Sequence, residues 1–134
     1  MKASFFILIS LFCMSTAIGQ KIEFNLTHFT EYAYNPESKN YDVQLFDIVK
    51  TSEDVSGSAV LFTKRNVLDV KSKAFEAKFE IDDAETVEES KIKIDCSEGL
   101  ASYTVYIDKS SKTIDIRKVE FGTVARIVFD FEYK

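Results

Sequence analysis

Apolar and polar residues alternate with a period of two along almost the whole chain. That periodicity limits it to β-strands with one buried and one solvated face. Phe75, Ala77, Phe79 and Ile81 alternate with Glu76, Lys78 and Glu80. Toward the C-terminus Ala125, Ile127, Phe129, Phe131 and Tyr133 alternate with Arg126, Val128, Asp130 and Glu132. The same reading predicts strands over 21–34, 40–50, 57–63, 66–72, 74–82, 90–96, 100–108, 112–119 and 123–133. No window carries a helical stripe at i, i+3, i+4 and i+7.

Turn chemistry between these runs predicts consecutive antiparallel hairpins. Asn35-Pro36-Glu37-Ser38-Lys39-Asn40, Ser97-Glu98-Gly99 and Asp108-Lys109-Ser110-Ser111-Lys112 supply the residues that short turns favour. Parallel sheets would need crossover helices and strands apolar on both faces, which this pattern does not provide. The expected fold class is all-β: one antiparallel domain of about eight to nine strands over residues 20–134, a β-sandwich in preference to a closed meander barrel. The stretch from Phe46 to Leu68 departs from simple alternation. Phe46 and Ile48 fall out of phase with Val43 and Leu45, and Ala59-Val60-Leu61-Phe62 is apolar throughout. A bulge, coverage on both faces, or a helical turn near Ser52 to Val55 would each account for it.

Residues 1–19 read as a secretory signal peptide. Lys2 gives the positive start, Phe5 to Cys13 the apolar core, and Ala17 and Gly19 the small residues before the cleavage point. The apolar run is shorter than the ~20 residues of a membrane-spanning helix. The expected product is secreted or periplasmic, with no transmembrane segment after cleavage. It would retain one cysteine, Cys96, which alternation places on the apolar face with Ile92 and Ile94 as a buried thiol.

The full chain has 22 acidic and 17 basic residues, a net charge of −5, and loss of Lys2 makes the mature charge −6. Nucleic acid is excluded as an expected partner, because its phosphates call for clustered Lys and Arg. The most biased segment, Asp82-Asp83-Ala84-Glu85-Thr86-Val87-Glu88-Glu89, reads as a solvated acidic loop between two strands. Asp82, Asp83, Glu85, Glu88 and Glu89 are weak calcium candidates that lack the spacing of a calcium loop.

Catalytic chemistry finds little to use, and no catalytic residue, cofactor or metal is assigned. His28 is the single histidine, and alternation from Ile22, Phe24 and Leu26 puts it at the edge of the inward face. Ser56-Gly57-Ser58-Ala59 lacks the second glycine of a nucleophile elbow and reads as a turn into a strand. Tyr32, Tyr34 and Tyr41 gather around the first hairpin turn and are the candidate binding residues, since tyrosines supply rigid amphipathic contact area. Asn25-Leu26-Thr27 matches the glycosylation sequon.

No family motif is complete. The chain has no tryptophan, so it lacks the G-x-W signature of lipocalin-like barrels. The expected function is that of an exported non-enzymatic module acting by protein or surface binding on an unknown partner. The alternatives are a small lipocalin-like barrel carrying an apolar ligand, for which the phenylalanines after the signal peptide would serve as lining, and an inhibitor of an extracellular enzyme.

Overall fold

The computed structural model describes residues 21–34, 46–52, 55–120 and 123–134. The signal peptide expected over residues 1–19 lies outside the described residues. Nine strands follow in chain order: β1 (Lys21–Tyr34), β2 (Phe46–Ser52), β3 (Gly57–Phe62), β4 (Val67–Lys71), β5 (Glu76–Glu88), β6 (Lys91–Glu98), β7 (Ala101–Asp108), β8 (Thr113–Glu120) and β9 (Thr123–Tyr133). All belong to one antiparallel sheet in the order β2-β1-β3-β4-β5-β6-β7-β8-β9, and β1 pairs with β9 as well.

That last pairing closes the sheet into a barrel, so the preferred two-layer sandwich is not what forms. β9 runs along one edge of β1, from Phe24 opposite Tyr133 to Tyr32 opposite Arg126. On the other edge of β1, β3 pairs with Lys21–Leu26 and β2 with Phe29–Tyr34. β2 and β3 therefore occupy successive stretches of one lane, and nine strands fill eight positions around the ring. Closure satisfies the two terminal edges that an open sheet would leave unpaired.

In the strands whose side chains are described, alternation survives as apolar inside and mostly polar or charged outside. Ile22, Phe24 and Leu26 of β1, Leu68 and Val70 of β4, Ile92, Ile94 and Cys96 of β6, and Ile114 and Ile116 of β8 all belong to one buried cluster. Phe24, Phe79, Phe129 and Phe131 are at most 1% exposed. Their rings interlock: Phe24 meets Phe131 edge-on at 4.7 Å, and Phe29 meets Phe129 at 5.4 Å. Phe75, at the start of the β5 hairpin, lies 6.4 Å from both Phe79 on β5 and Phe129 on β9, and so ties the two walls together.

Bulges reset the alternation at the places where simple counting fails. Between Leu26 and His28 the register with β9 shifts by one residue, so Thr27 is extra and Phe29 resumes the inward row. His28 consequently sits on the outer wall and not on the inward face expected for it; its Nδ1 lies 3.4 Å from Asp130 Oδ2. β2 shifts against β1 between Glu31 and Tyr32, an irregularity in the stretch where the apolar pattern breaks down. Ala59 and Leu61 point inward, while Val60 and Phe62 face outward and are half-buried, with the Arg65 guanidinium 5.4 Å over the Phe62 ring.

The turns follow from their residues. Ser56 has φ 38° and leads into β3 at Gly57, where any Cβ would overlap the Lys71 carbonyl oxygen and the Ser72 backbone. Gly99, φ 60°, is the first of two residues between β6 and β7, the position that glycine takes in a type II′ turn. After β7, Asp108 Oδ1 accepts hydrogen bonds from the amides of Ser110 and Ser111 and from the hydroxyls of Ser110 and Ser90. Desolvation pushes the Asp108 carboxyl up, but these donors together outweigh it and hold the pKa below 3.8.

The Phe129 ring is fully buried between Phe29 and Phe75. Phe129→Ala should cost about 3–5 kcal/mol in denaturant unfolding, the range of large core truncations. A loss below about 1 kcal/mol would mean that the last strand does not bury this face. Tyr133 offers the opposite case, because its hydroxyl is covered and has no hydrogen-bond partner among the described residues. Tyr133→Phe should leave stability unchanged or raise it by about 1 kcal/mol. Desolvation raises the Tyr133 pKa above 10.0, so the folded state holds this proton more tightly than the unfolded chain does. Stability should fall as pH rises above 10.0, and Tyr133→Phe should flatten that fall in thermal melts.

Candidate functional site

Three neighbouring registers place one polar cluster on the outer wall where the barrel closes. Asp115 on β8 stands opposite Tyr106 of β7 and Val128 of β9. One register along, Arg117 stands opposite Thr104 and Arg126, and Arg126 stands opposite Tyr32 across the closing seam. Asp115 accepts from Arg117 Nη2 at 3.1 Å and from Arg126 Nη2 at 3.0 Å, and the Nε of each arginine reinforces the pair. The guanidinium carbons lie 5.0 Å above the Tyr106 ring for Arg117 and 4.7 Å above the Tyr32 ring for Arg126. The Lys91 ammonium lies 5.7 Å from the same Tyr106 ring.

The side chains of Asp115, Arg126 and Arg117 are 12%, 18% and 29% exposed. An ion pair this well covered costs desolvation unless its hydrogen bonds are met, and here one carboxylate serves two guanidiniums. Chemically the cluster is a clamp: it joins β7, β8, β9 and β1 from outside and holds Tyr32 in a fixed orientation.

Beside the clamp, a shallow groove of about 270 Å³ runs over β5–β8, lined by Asp82, Asp95, Cys96, Ser102, Tyr103, Thr104 and Arg117. It forms where the register between β5 and β6 shifts between Ile81 and Asp83, leaving Asp82 as an extra residue. Asp82 and Asp95 are exposed, and neither is paired with a cation among the described residues. Cys96 is buried, and burial first, then the charges of Asp82 and Asp95, push its thiol up to about 12.

Tyr32 is half-buried beneath Arg126. Tyr34 ends β1 opposite Phe46, and Tyr41 lies outside the described residues. The acidic segment is not a loop: Asp82, Asp83, Glu85 and Glu88 are part of β5, with Asp83 opposite Asp95, Glu85 opposite Lys93 and Glu88 opposite Lys91. Pairing with the alternating residues of β6 turns a compositional bias into an acidic strand face, and Glu89 follows in the β5–β6 turn. A second bulge, between Thr86 and Glu88, leaves Val87 exposed. Among the described residues no group of three or more His, Cys, Asp or Glu side chains is arranged to hold a metal ion. Asn25 of the sequon is exposed on β1, opposite Ser58 and Glu132.

Sequence reasoning missed Asp115, Arg117 and Arg126. Their one signal is the outward run of charged residues on β8 and β9, whose meeting depends on register.

Asp115→Asn keeps the shape but leaves two guanidiniums facing an amide, and should cost about 3 kcal/mol in thermal or denaturant unfolding. A change below about 0.5 kcal/mol would reduce the cluster to an ordinary surface pair. In the folded protein the Cys96 thiol should resist a disulfide reagent at about pH 8 and react once denaturant is added. Comparison with known proteins returns no match, whether to protein families, to curated proteins or to solved structures.

Proposed function

We propose that the chain is an exported, non-enzymatic binding module, secreted or periplasmic, that acts through the outer wall and hairpin ends of a small barrel. The observation that carries this reading is the division of labour between the two faces of the sheet. The inward face is occupied by Phe24, Phe79, Phe129 and Phe131, all essentially without solvent exposure. The outward face holds ordered polar and aromatic groups in fixed positions, with Tyr32 and Tyr106 stacked under guanidiniums that one carboxylate pins. Side chains locked before an encounter lose little rotamer freedom on binding, which favours recognition.

Barrel closure supports a second reading, a carrier of an apolar ligand. At the end of the barrel where β6 turns into β7, the half-buried Tyr103 packs edge-on against Phe79 at 4.8 Å, and the Lys118 ammonium lies 5.8 Å from the Tyr103 ring. An apolar chain would meet an aromatic pair there.

Native mass spectrometry of the mature chain, purified gently from its own host, separates the two. A co-purifying polypeptide supports the binding module, and a retained small apolar mass supports the carrier. If the module reading holds, Tyr34→Ala and Tyr41→Ala should weaken partner capture by about tenfold, equal to ~1.4 kcal/mol, while barely moving the melting temperature. Unchanged capture would remove these two tyrosines from the contact surface.

A further inference from the structure

The charge of this chain is concentrated in one hairpin. From Glu76 to Glu98, β5 and β6 with their turn carry nine acidic and three basic residues, a net charge of −6, whereas the whole chain totals −5. The rest of the molecule is therefore close to neutral, and its field is that of a barrel with one negative wall. Such an asymmetry steers encounters and selects oppositely charged partners.

Two further observations fall on the same wall. The large hydrophobic side chains exposed among the described residues are Val87 and Leu100, which stand near opposite ends of this hairpin. Leu100 is fully exposed at the tip of the β6–β7 turn. The turn is braced, because Gly99 adopts φ 60° and the Lys78 amide donates to Glu98 Oε2 at 3.1 Å. Two residues along β7, Ser102 enters the lining of the groove that Asp82 and Asp95 flank. At about 3.3 Å per residue this is about 7 Å from the tip, close enough for one partner segment to reach both.

Taking the binding-module reading as its basis, we propose that the β5–β6 wall and the β6–β7 tip form the docking surface for a basic protein. Leu100 enters an apolar pocket of that protein, and a neighbouring lysine or arginine of the partner enters the groove between Asp82 and Asp95. The geometry suits this pairing. Among the described residues Asp82 and Asp95 have no cation partner, while Arg117, on the far side of the groove, already bonds Asp115. A cation entering from outside meets two carboxylates and the hydroxyl-bearing Ser102 and Thr104. An acidic partner or an anionic lipid surface would meet repulsion along the whole hairpin.

The test uses the full mature chain with a photo-crosslinking residue at position 100 and, separately, at Asn25, which is exposed on the opposite wall. Each form is expressed in the native host, alone and combined with Asp82→Asn and Asp95→Asn. The expected result is a polypeptide crosslinked from position 100 but not from position 25, lost in the double Asn variant while the melting temperature holds. In a parallel titration, an acetylated hexa-arginine peptide should shift the amide resonances of residues 82, 95, 102 and 104 first. The double variant should bind that peptide roughly tenfold more weakly, the sum of two exposed ion pairs. Crosslinking from position 25 alone would overturn the proposed surface and leave the module reading standing. Peptide shifts spread over the whole barrel would overturn the surface as well. No crosslinked polypeptide from either position, with no co-purifying chain in native mass spectrometry, would overturn both.

Discussion

The hydrogen-bonded seam between β1 and β9 is the constraint on which the rest of this structure depends. Without it the chain would be a twisted meander with two open edges, and its inward phenylalanines would face solvent. With it, Phe24 meets Phe131 and Phe29 meets Phe129 across the join. The most distant parts of the described sequence thus share one core. β1 carries an unusual load, serving β9 along one edge and both β3 and β2 along the other. Thr27 absorbs the mismatch: as the extra residue of the bulge it changes which side chains of β1 face inward. Its hydroxyl also donates to the Asp130 carbonyl at 3.3 Å across the seam.

A barrel with an apolar interior and a charged exterior reverses the arrangement of a membrane-spanning barrel, whose outer band is apolar. The exterior here is more than a solvating coat. Asp115, Arg117 and Arg126 are fastened together on the outside of the seam, where β-sheets usually present separate charges. Backbone pairing closes the ring and the side-chain clamp grips it, so the same few registers govern both. The negative hairpin lies on another part of the ring, and between it and the clamp runs the groove, with Arg117 on one side and Asp82 on the other.

Strand positions were largely legible in the sequence, because a period of two is a local property and each strand carries it. The predicted runs at 21–34 and 123–133 coincide with β1 and β9. Cys96 could be placed inward for the same reason, by counting from Ile92 and Ile94. Sandwich and barrel hide the same alternate residues, and the choice between them rests on a pairing between β1 and β9 that no local pattern encodes. The other failures trace to bulges. One extra residue at Thr27 moved His28 to the outer wall, and extra residues at Asp82 and Val87 belong to a strand whose composition suggested a loop. Of the candidate site, Tyr32 was visible as an aromatic near a turn. The cluster that orients it was not, since Asp115 and Arg126 are separated by ten intervening residues and meet through the register of β8 with β9.

Phe75 gives the barrel a property that strand pairing alone would not. It belongs to the short β4–β5 connection, where the Ser72 hydroxyl accepts from the Phe75 amide at 2.9 Å, yet its ring rests against Phe129 on the far wall. A hairpin end normally frays on its own, with its amides exchanging with solvent through small local openings. Here the end cannot lift without drawing a half-buried aromatic ring away from the core it packs against. Local opening of the turn is thereby coupled to the Phe75–Phe129 contact, and exchange at Phe75 becomes a report on how firmly the hairpin end is held to the far wall.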